Sequence, residues 1–185
     1  SDFAIFVSPD LKEWTRTQDL VLPDTIECPD LFPLPVDGDP SSIKWVFWGA
    51  NGNYRVGTFD GSAFRPQSEV LTADAGGNFA AAQTWNDVPE ADGRRIQIAW
   101  MGSGVYPDMP FNQQMSFPCE LTLRTTPDGL RLFRYPVREI EHIADRRHVW
   151  SNEAIDPGDN PLEAIDHDLL DVAAQIDLGQ AREIA

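Results

Sequence analysis

Apolar residues in the first 140 positions fall into short runs, each closed by turn chemistry. Phe3-Ala4-Ile5-Phe6-Val7 predicts a strand that stops at Ser8-Pro9-Asp10, a turn signal. Ile43-Lys44-Trp45-Val46-Phe47-Trp48 is β-branched and aromatic and ends at Gly49-Ala50-Asn51-Gly52-Asn53. Tyr54 to Phe59 follows, closed by the turn dipeptide Asp60-Gly61. Arg95 to Trp100 alternates, which predicts a strand with Ile96, Ile98 and Trp100 on one face. Leu121–Arg124 and Leu130–Phe133 flank Thr126-Pro127-Asp128-Gly129, the pattern of a β-hairpin. No amphipathic helical window of useful length precedes residue 137.

Many short strands punctuated by frequent turns predict an all-β sandwich, barrel or propeller. Strand groups recur at blade-like intervals, which favours the propeller, although no strict repeat is visible. The character changes after Val137-Arg138-Glu139-Ile140. Residues 151–185 hold many acids and a single base, Arg182, and Pro157-Gly158-Asp159-Asn160-Pro161 reads as linker. Asp171 to Leu178 predicts a strand opening a second domain.

Composition narrows the partners. With 14 Lys and Arg against 30 Asp and Glu, the net charge is −16. Such a surface repels phosphate backbones and anionic lipid, which argues against nucleic acid and membrane partners; a neutral sugar is compatible, as is a merely solvated acidic surface. No apolar run reaches the about 20 residues of a membrane span. Ser1-Asp2-Phe3 enters a strand-like run at once, so the chain is expected to begin inside a folded domain rather than with a leader. Cys28 and Cys119 lie far apart, and His142, His148 and His167 lack zinc-site spacing, so neither a disulfide framework nor a metal site is predicted. Asp156, Asp159, Asp166 and Asp168 lack the spacing of a calcium loop and read as a solvated linker. No cofactor is implied. Localisation and oligomeric state stay open.

The segment richest in chemistry is Glu27-Cys28-Pro29-Asp30-Leu31-Phe32. It resembles the acid-catalyst motif of glycoside hydrolase family 32, the family of invertases, inulinases and levanases. Further segments match in the expected order. Ser8 to Trp14 is similar to the family's SPDL-x-x-W hairpin, and Tyr54 to Gly61 to its Y-x-x-G-x-F-D-G hairpin. Asn78 to Trp85 resembles its D/N-F-Y-A-x-Q-T-F/W stretch, and Ile98–Met101 with Phe117–Arg124 its last blade.

The resemblance implies a partial five-bladed β-propeller followed by the start of a β-sandwich. Residues 1–140 would be C-terminal blades, 141–160 a linker, and 161–185 the beginning of the sandwich. It implies a small-molecule or polymeric fructoside substrate, such as sucrose, inulin or levan, cleaved with retention. Retaining glycosidases use two carboxyl groups about 5–5.5 Å apart, one a nucleophile and one an acid and then a base. By motif match Glu27 is the acid/base, expected to be sheltered so that it keeps its proton. Alternation along an extended strand would put Thr25, Glu27 and Pro29 on one face and Ile26, Cys28 and Asp30 on the other. The family's nucleophile, an aspartate in W-M-N-D-P-N, and its transition-state stabiliser, an aspartate in R-D-P, have no counterpart in these 185 residues. Both motifs would precede residue 1, so this chain alone is expected to be inactive.

Trp100 matches a position whose indole lines the sugar pocket, while core packing against Ile96 and Ile98 is the alternative. Cys28 either tunes the environment of the acid or is an inert thiol. Asp30 either braces the loop or caps a turn. Trp45 and Trp48 are expected to pack between blades. Ala80 stands where the family often has Tyr, and Cys119 where many members have Arg, which puts a blade-locking ion pair in doubt. The same acid motif is compatible with a fructosyltransferase, and the same fold with a non-catalytic carbohydrate-binding propeller. A five-bladed glycosidase acting on arabinosides or xylosides fits the motif order less well.

Overall fold

The computed structural model describes residues 3–25, 27–166 and 169–180. It divides into two compact units, Ser1–Ala144 and Asp145–Ala185. The first holds twelve strands among the described residues. β1 (Phe3–Val7) and β2 (Thr15–Leu20) form a hairpin. β3 (Asp30–Val36), β4 (Asp39–Trp48), β5 (Asn53–Phe59) and β6 (Phe64–Pro66) form an antiparallel meander, with β7 (Leu71–Thr72) added to β5. A second stack follows: β8 (Ala80–Thr84), β9 (Arg95–Met101), β11 (Cys119–Thr126) and β12 (Gly129–Pro136). β10 (Gln114–Met115) pairs with the end of β9. The stacks touch through one parallel bridge, Leu123 to Val36. Up-and-down stacks of this kind are propeller blades, and every strand read from hydrophobic alternation in this unit is present.

The apolar run in β4 has a simple cause. Val46 and Trp48 face one core, built with Phe32, Leu34, Tyr54 and Val56 of their own stack and Ala82, Ala99, Leu121, Leu123 and Leu132 of the next. Phe47 faces a second core with Leu20, Leu22 and Phe64, against which Phe3, Ile5 and Trp45 pack. The middle stack thus lies between the β1–β2 hairpin and the second meander, and its strands are apolar on both faces. Phe32, Val56 and Leu123 are 0–1% exposed, each contributing about 1.5–3 kcal/mol by leaving water. Trp48, fully buried, lies 6.0 Å from Phe79 and 6.2 Å from Tyr54, and Trp45 packs 4.9 Å from Phe59. Both tryptophans are packing residues.

Turn and edge chemistry set the register. β3 joins β4 through Asp37 and Gly38, at φ 53° and 77°, the positive pair that a tight hairpin requires. β3 contains Pro33 and Pro35, which are tolerated because it pairs with β4 on one side and touches β11 only at Val36. That strand was not legible from alternation, since prolines mask it.

Polar links cross between the stacks. The buried Tyr54 hydroxyl accepts the Leu132 N–H at 3.0 Å, and burial pushes its pKa up. Asp37 accepts the Thr125 N–H at 2.8 Å and its hydroxyl at 2.6 Å. Arg134 pairs with Asp74 at 2.8 Å while its guanidinium lies 4.1 Å from the Phe79 ring centroid. An inter-stack ion pair therefore exists although position 119 is a cysteine. Cys119 itself is buried, and burial raises its pKa.

A short 3-10 helix, Arg138–Ile143, ends the unit and is held by Arg94, which bonds Asp92 at 2.6 Å and Glu139 at 2.8 Å. The second unit, Asp145–Ala185, has no strand or helix among its described residues. The strand predicted at Asp171–Leu178 is absent: these residues are exposed and have no partner strand, and extended backbone is unstable without a ladder. Asp156 and Asp159 form a turn, with Asp159 N–H on Asp156 O at 3.0 Å and Gly158 at φ 98°. His167 and Asp168 lie outside the described residues.

Two outcomes follow for stability. Tyr54→Phe keeps the ring but strands the Leu132 N–H, so it should cost about 1–3 kcal/mol in urea unfolding; an unchanged midpoint would show that the stacks do not depend on this bond. The Arg94 bond holds Asp92 and Glu139 at about 2, below ordinary values of 3.8 and 4.5. Acids depressed in this way stabilise the fold above their ordinary pKa and lose that contribution as pH falls through about 2. Glu139→Gln should therefore unfold earlier than wild type at neutral pH, with the gap closing under acid.

Candidate functional site

The loop from Val21 to Pro29, between β2 and β3, carries Glu27 and is tied down along its length. Thr25, 4% exposed, donates its N–H to Leu22 O at 3.2 Å and its hydroxyl to Asn51 Oδ1. Asn51 Nδ2 donates to Asp24 O at 2.9 Å, and Asn53 Nδ2 to Pro23 O at 3.2 Å. The Asn51-Gly52-Asn53 turn after β4, read in the sequence only as a strand stop, thus scaffolds the acid-bearing loop. Gly49 sits where any Cβ would collide with Thr25 Cγ2.

Glu27 lies in a bend rather than a strand. Its carbonyl accepts the Ala50 N–H at 3.1 Å, and Ala50 O accepts the Ala81 N–H at 2.8 Å. The expected alternation of faces over residues 25–30 fails because Cys28 takes φ 48°, which turns the chain before Pro29. Ile26, assigned to the opposite face, lies outside the described residues. Cys28 is a half-buried free thiol whose carbonyl accepts Gln83 Nε2 at 3.0 Å. Asp30 opens β3, and its Oδ2 accepts the Thr84 N–H at 2.7 Å, so it braces the loop against β8 rather than capping its own turn. Cys28 and Ala81, at φ 51°, are both non-glycine residues in the left-handed region, which costs about 1–3 kcal/mol each.

The side chain of Glu27 is exposed, not sheltered, and makes no hydrogen bond or ion pair among the described residues. The turn after β4 holds its carbonyl and the end of β8 holds Cys28 and Asp30, while its carboxyl is left open among the described residues. Cavities lined by Leu20, Phe47 and Arg55, and by Val56, Leu71 and Leu130, do not include it. With Asp30 engaged by Thr84, Glu27 is the free carboxylate of the motif. A free carboxyl on a fixed backbone can give and take a proton.

Trp100 stands at the same end of the stacks, in register with Ala80 as Asp30 is with Trp48. Packing in a face with Ile96 and Ile98 is not what it does. The fully buried residues of β9 are Gln97 and Ala99, at 1% and 0%, whereas Trp100 is 43% exposed because it lies where β9 runs out. Its Nε1 donates to Gln113 Oε1 at 3.0 Å, and its ring crosses Gly102 so closely that a Cβ there would meet it at 2.7 Å. The loop beyond is fixed by Ser103 N–H on Asn78 Oδ1 at 2.9 Å and Gln113 N–H on Gly104 O at 2.9 Å. Trp100 has no bond to Glu27 or Cys28, but its exposed ring is available to a ligand. Sequence reading missed Asn51, Asn53 and Gln83 as site residues; Gln83 lay within a quoted motif, but motif membership does not say what an amide binds.

Up-and-down stacks of this kind define a partial propeller, and the comparisons say to which family it belongs. The family model for the glycosyl hydrolases family 32 N-terminal domain matches residues 1–136. The chain is 36% identical over 182 residues to the levanase of Bacillus subtilis, covering 86% of this chain and 27% of that protein. It is 30% identical over 176 residues to the extracellular exo-inulinase of Aspergillus niger, covering 80% of this chain and 32% of that one. Its fold matches the crystal structure of exo-inulinase from Aspergillus awamori with a TM-score of 0.67 and 27% identity, over 80% of this chain and 33% of that chain. The chain belongs to glycosyl hydrolase family 32, as part of its five-bladed propeller. It spans about a third or less of the length of these relatives.

Gly49→Ala should force Thr25 out of its place and cost about 1–3 kcal/mol in urea unfolding. An unaltered midpoint would mean that the acid-bearing loop gives way freely.

Proposed function

We propose that this chain supplies the acid/base half of a retaining glycosidase that hydrolyses β-fructofuranosidic bonds, as in sucrose, inulin or levan. The observation that carries the reading is the contrast at Glu27: its backbone is hydrogen-bonded to Ala50 and flanked by bonded Cys28 and Asp30, while its carboxyl has no partner among the described residues. An exposed carboxyl is satisfied by water and needs no partner, so the weight of the reading lies on the fixed backbone beneath it and on the motif that contains it. A catalytic carboxyl must stay free for the leaving-group oxygen and then for water. In this reading Glu27 protonates the departing oxygen, the fructosyl unit passes to an aspartate from a separate family-32 segment, and Glu27 then deprotonates the water that releases it. The bound sugar and that segment close the site around it, since the described residues leave it open. Trp100 offers an apolar ring face to the sugar, and Cys28 lines the site beside the acid.

The domain reading goes with it. Residues 1–140 are C-terminal blades of a five-bladed propeller, 141–160 a linker, and 161–185 the beginning of a C-terminal β-sandwich domain.

Two assays test this. The 185-residue chain should release no fructose from sucrose, inulin or levan, because its sequence contains neither family aspartate motif. Joined to a family-32 segment that carries both aspartates, it should hydrolyse β-fructosides, and Glu27→Gln should lower kcat by about 10²–10⁴-fold. Transfer of fructose to a second sugar at high sucrose would identify a transferase instead. Binding without turnover in the joined protein would identify a carbohydrate-binding propeller.

A further inference from the structure

With no bond to its carboxyl, Glu27 can be aimed only through the backbone that carries it. Three hydrogen bonds hold that backbone: Ala50 N–H to Glu27 O at 3.1 Å, Gln83 Nε2 to Cys28 O at 3.0 Å, and Thr84 N–H to Asp30 Oδ2 at 2.7 Å. The last two come from adjacent residues of β8, in the next stack, and they grip the chain on either side of Pro29. Cys28 between them is held at φ 48°. A residue before proline prefers extended backbone, so this conformation persists only because something holds it. Ala81, also left-handed at φ 51°, sits at a register shift in β8 between Ala80 and Gln83. That irregularity sets the position from which Gln83 and Thr84 meet the loop.

Ala50 and Thr84 donate through main-chain N–H groups, so Gln83 is the side-chain donor of the grip and Asp30 its side-chain acceptor. Gln83 is exposed, so its replacement opens no core cavity. We propose that Gln83, with Asp30 as the second arm, is a positioning residue for the acid/base: a clamp from β8 sets the direction in which Glu27 presents its carboxyl. This rests on the acid/base reading of Glu27.

Cys28 is a built-in reporter of the clamp, being a half-buried free thiol in the gripped segment, whereas Cys119 is buried. In the 185-residue chain, Gln83→Met has similar length and no donor. It should raise the rate of iodoacetamide alkylation at Cys28, read by peptide mass, with the urea midpoint unchanged. Asp30→Ala should also speed alkylation at Cys28, with a lower urea midpoint because the Thr84 N–H loses its acceptor and with Cys119 as the control for global opening. In the joined protein with both aspartates, Gln83→Met should lower kcat by about 10–100-fold with KM unchanged and displace the basic limb of the pH–rate profile, as expected for a misplaced proton donor. Unaltered alkylation in both variants would overturn the clamp. Faster alkylation with kcat and pH profile intact would overturn its positioning role. Full activity in Glu27→Gln would overturn the acid/base assignment instead, and the alkylation result would stand independently of it.

Discussion

A sheet that is apolar on both faces cannot face water on either, and the middle stack of this protein is such a sheet. Val46 and Trp48 require one neighbour and Phe47 requires another, so β3–β6 is pressed between the β1–β2 hairpin and the β8–β12 meander. The polar links, Tyr54 with Leu132, Asp37 with Thr125 and Asp74 with Arg134, do not drive this packing; they select one register for it. A slip of the stacks would strand the buried Tyr54–Leu132 bond and part the half-buried Arg134–Asp74 pair, and buried polar groups without partners are costly.

The candidate site inherits its precision from that register. Glu27 precedes the first strand of one stack, and the atoms that hold the backbone around it belong to the turn after β4 and to the end of β8. Packing that brings Ala82 and Ala99 against Trp48 also brings Gln83 and Thr84 to Cys28 and Asp30. The left-handed backbone at Cys28 and Ala81 is a local cost offset by these contacts. Rigid backbone with an uncommitted side chain is the arrangement that acid/base chemistry needs, because the proton must reach one atom of a substrate without reorganisation of the protein.

Exposure at Glu27 and Trp100 fits the extent of the chain relative to its relatives. A propeller site is closed by several stacks together, and this chain spans only part of the proteins it matches. What the described residues contribute is an open carboxyl on a fixed backbone and an exposed indole ring.

Much of the fold was written in the order of residues. Alternation and β-branched content located β1, β4, β5, β9, β11 and β12, because a strand half or wholly buried must place apolar groups at a period of two whatever its neighbours are. The Glu27 motif was legible for a related reason: its chemistry needs particular residue types at adjacent positions. Four things were not legible. β3 was hidden by Pro33 and Pro35, which only an open strand edge tolerates. The extended geometry expected at residues 25–30 gave way to the left-handed turn at Cys28, and the strand expected at Asp171–Leu178 found no ladder. Trp100 was ambiguous until its place at the end of β9 showed it exposed. In each case the deciding quantity was a contact between residues distant in sequence, such as Gln83 with Cys28 or Asn51 with Thr25. Local sequence determines which backbone shapes are affordable, but only packing determines which of them is held.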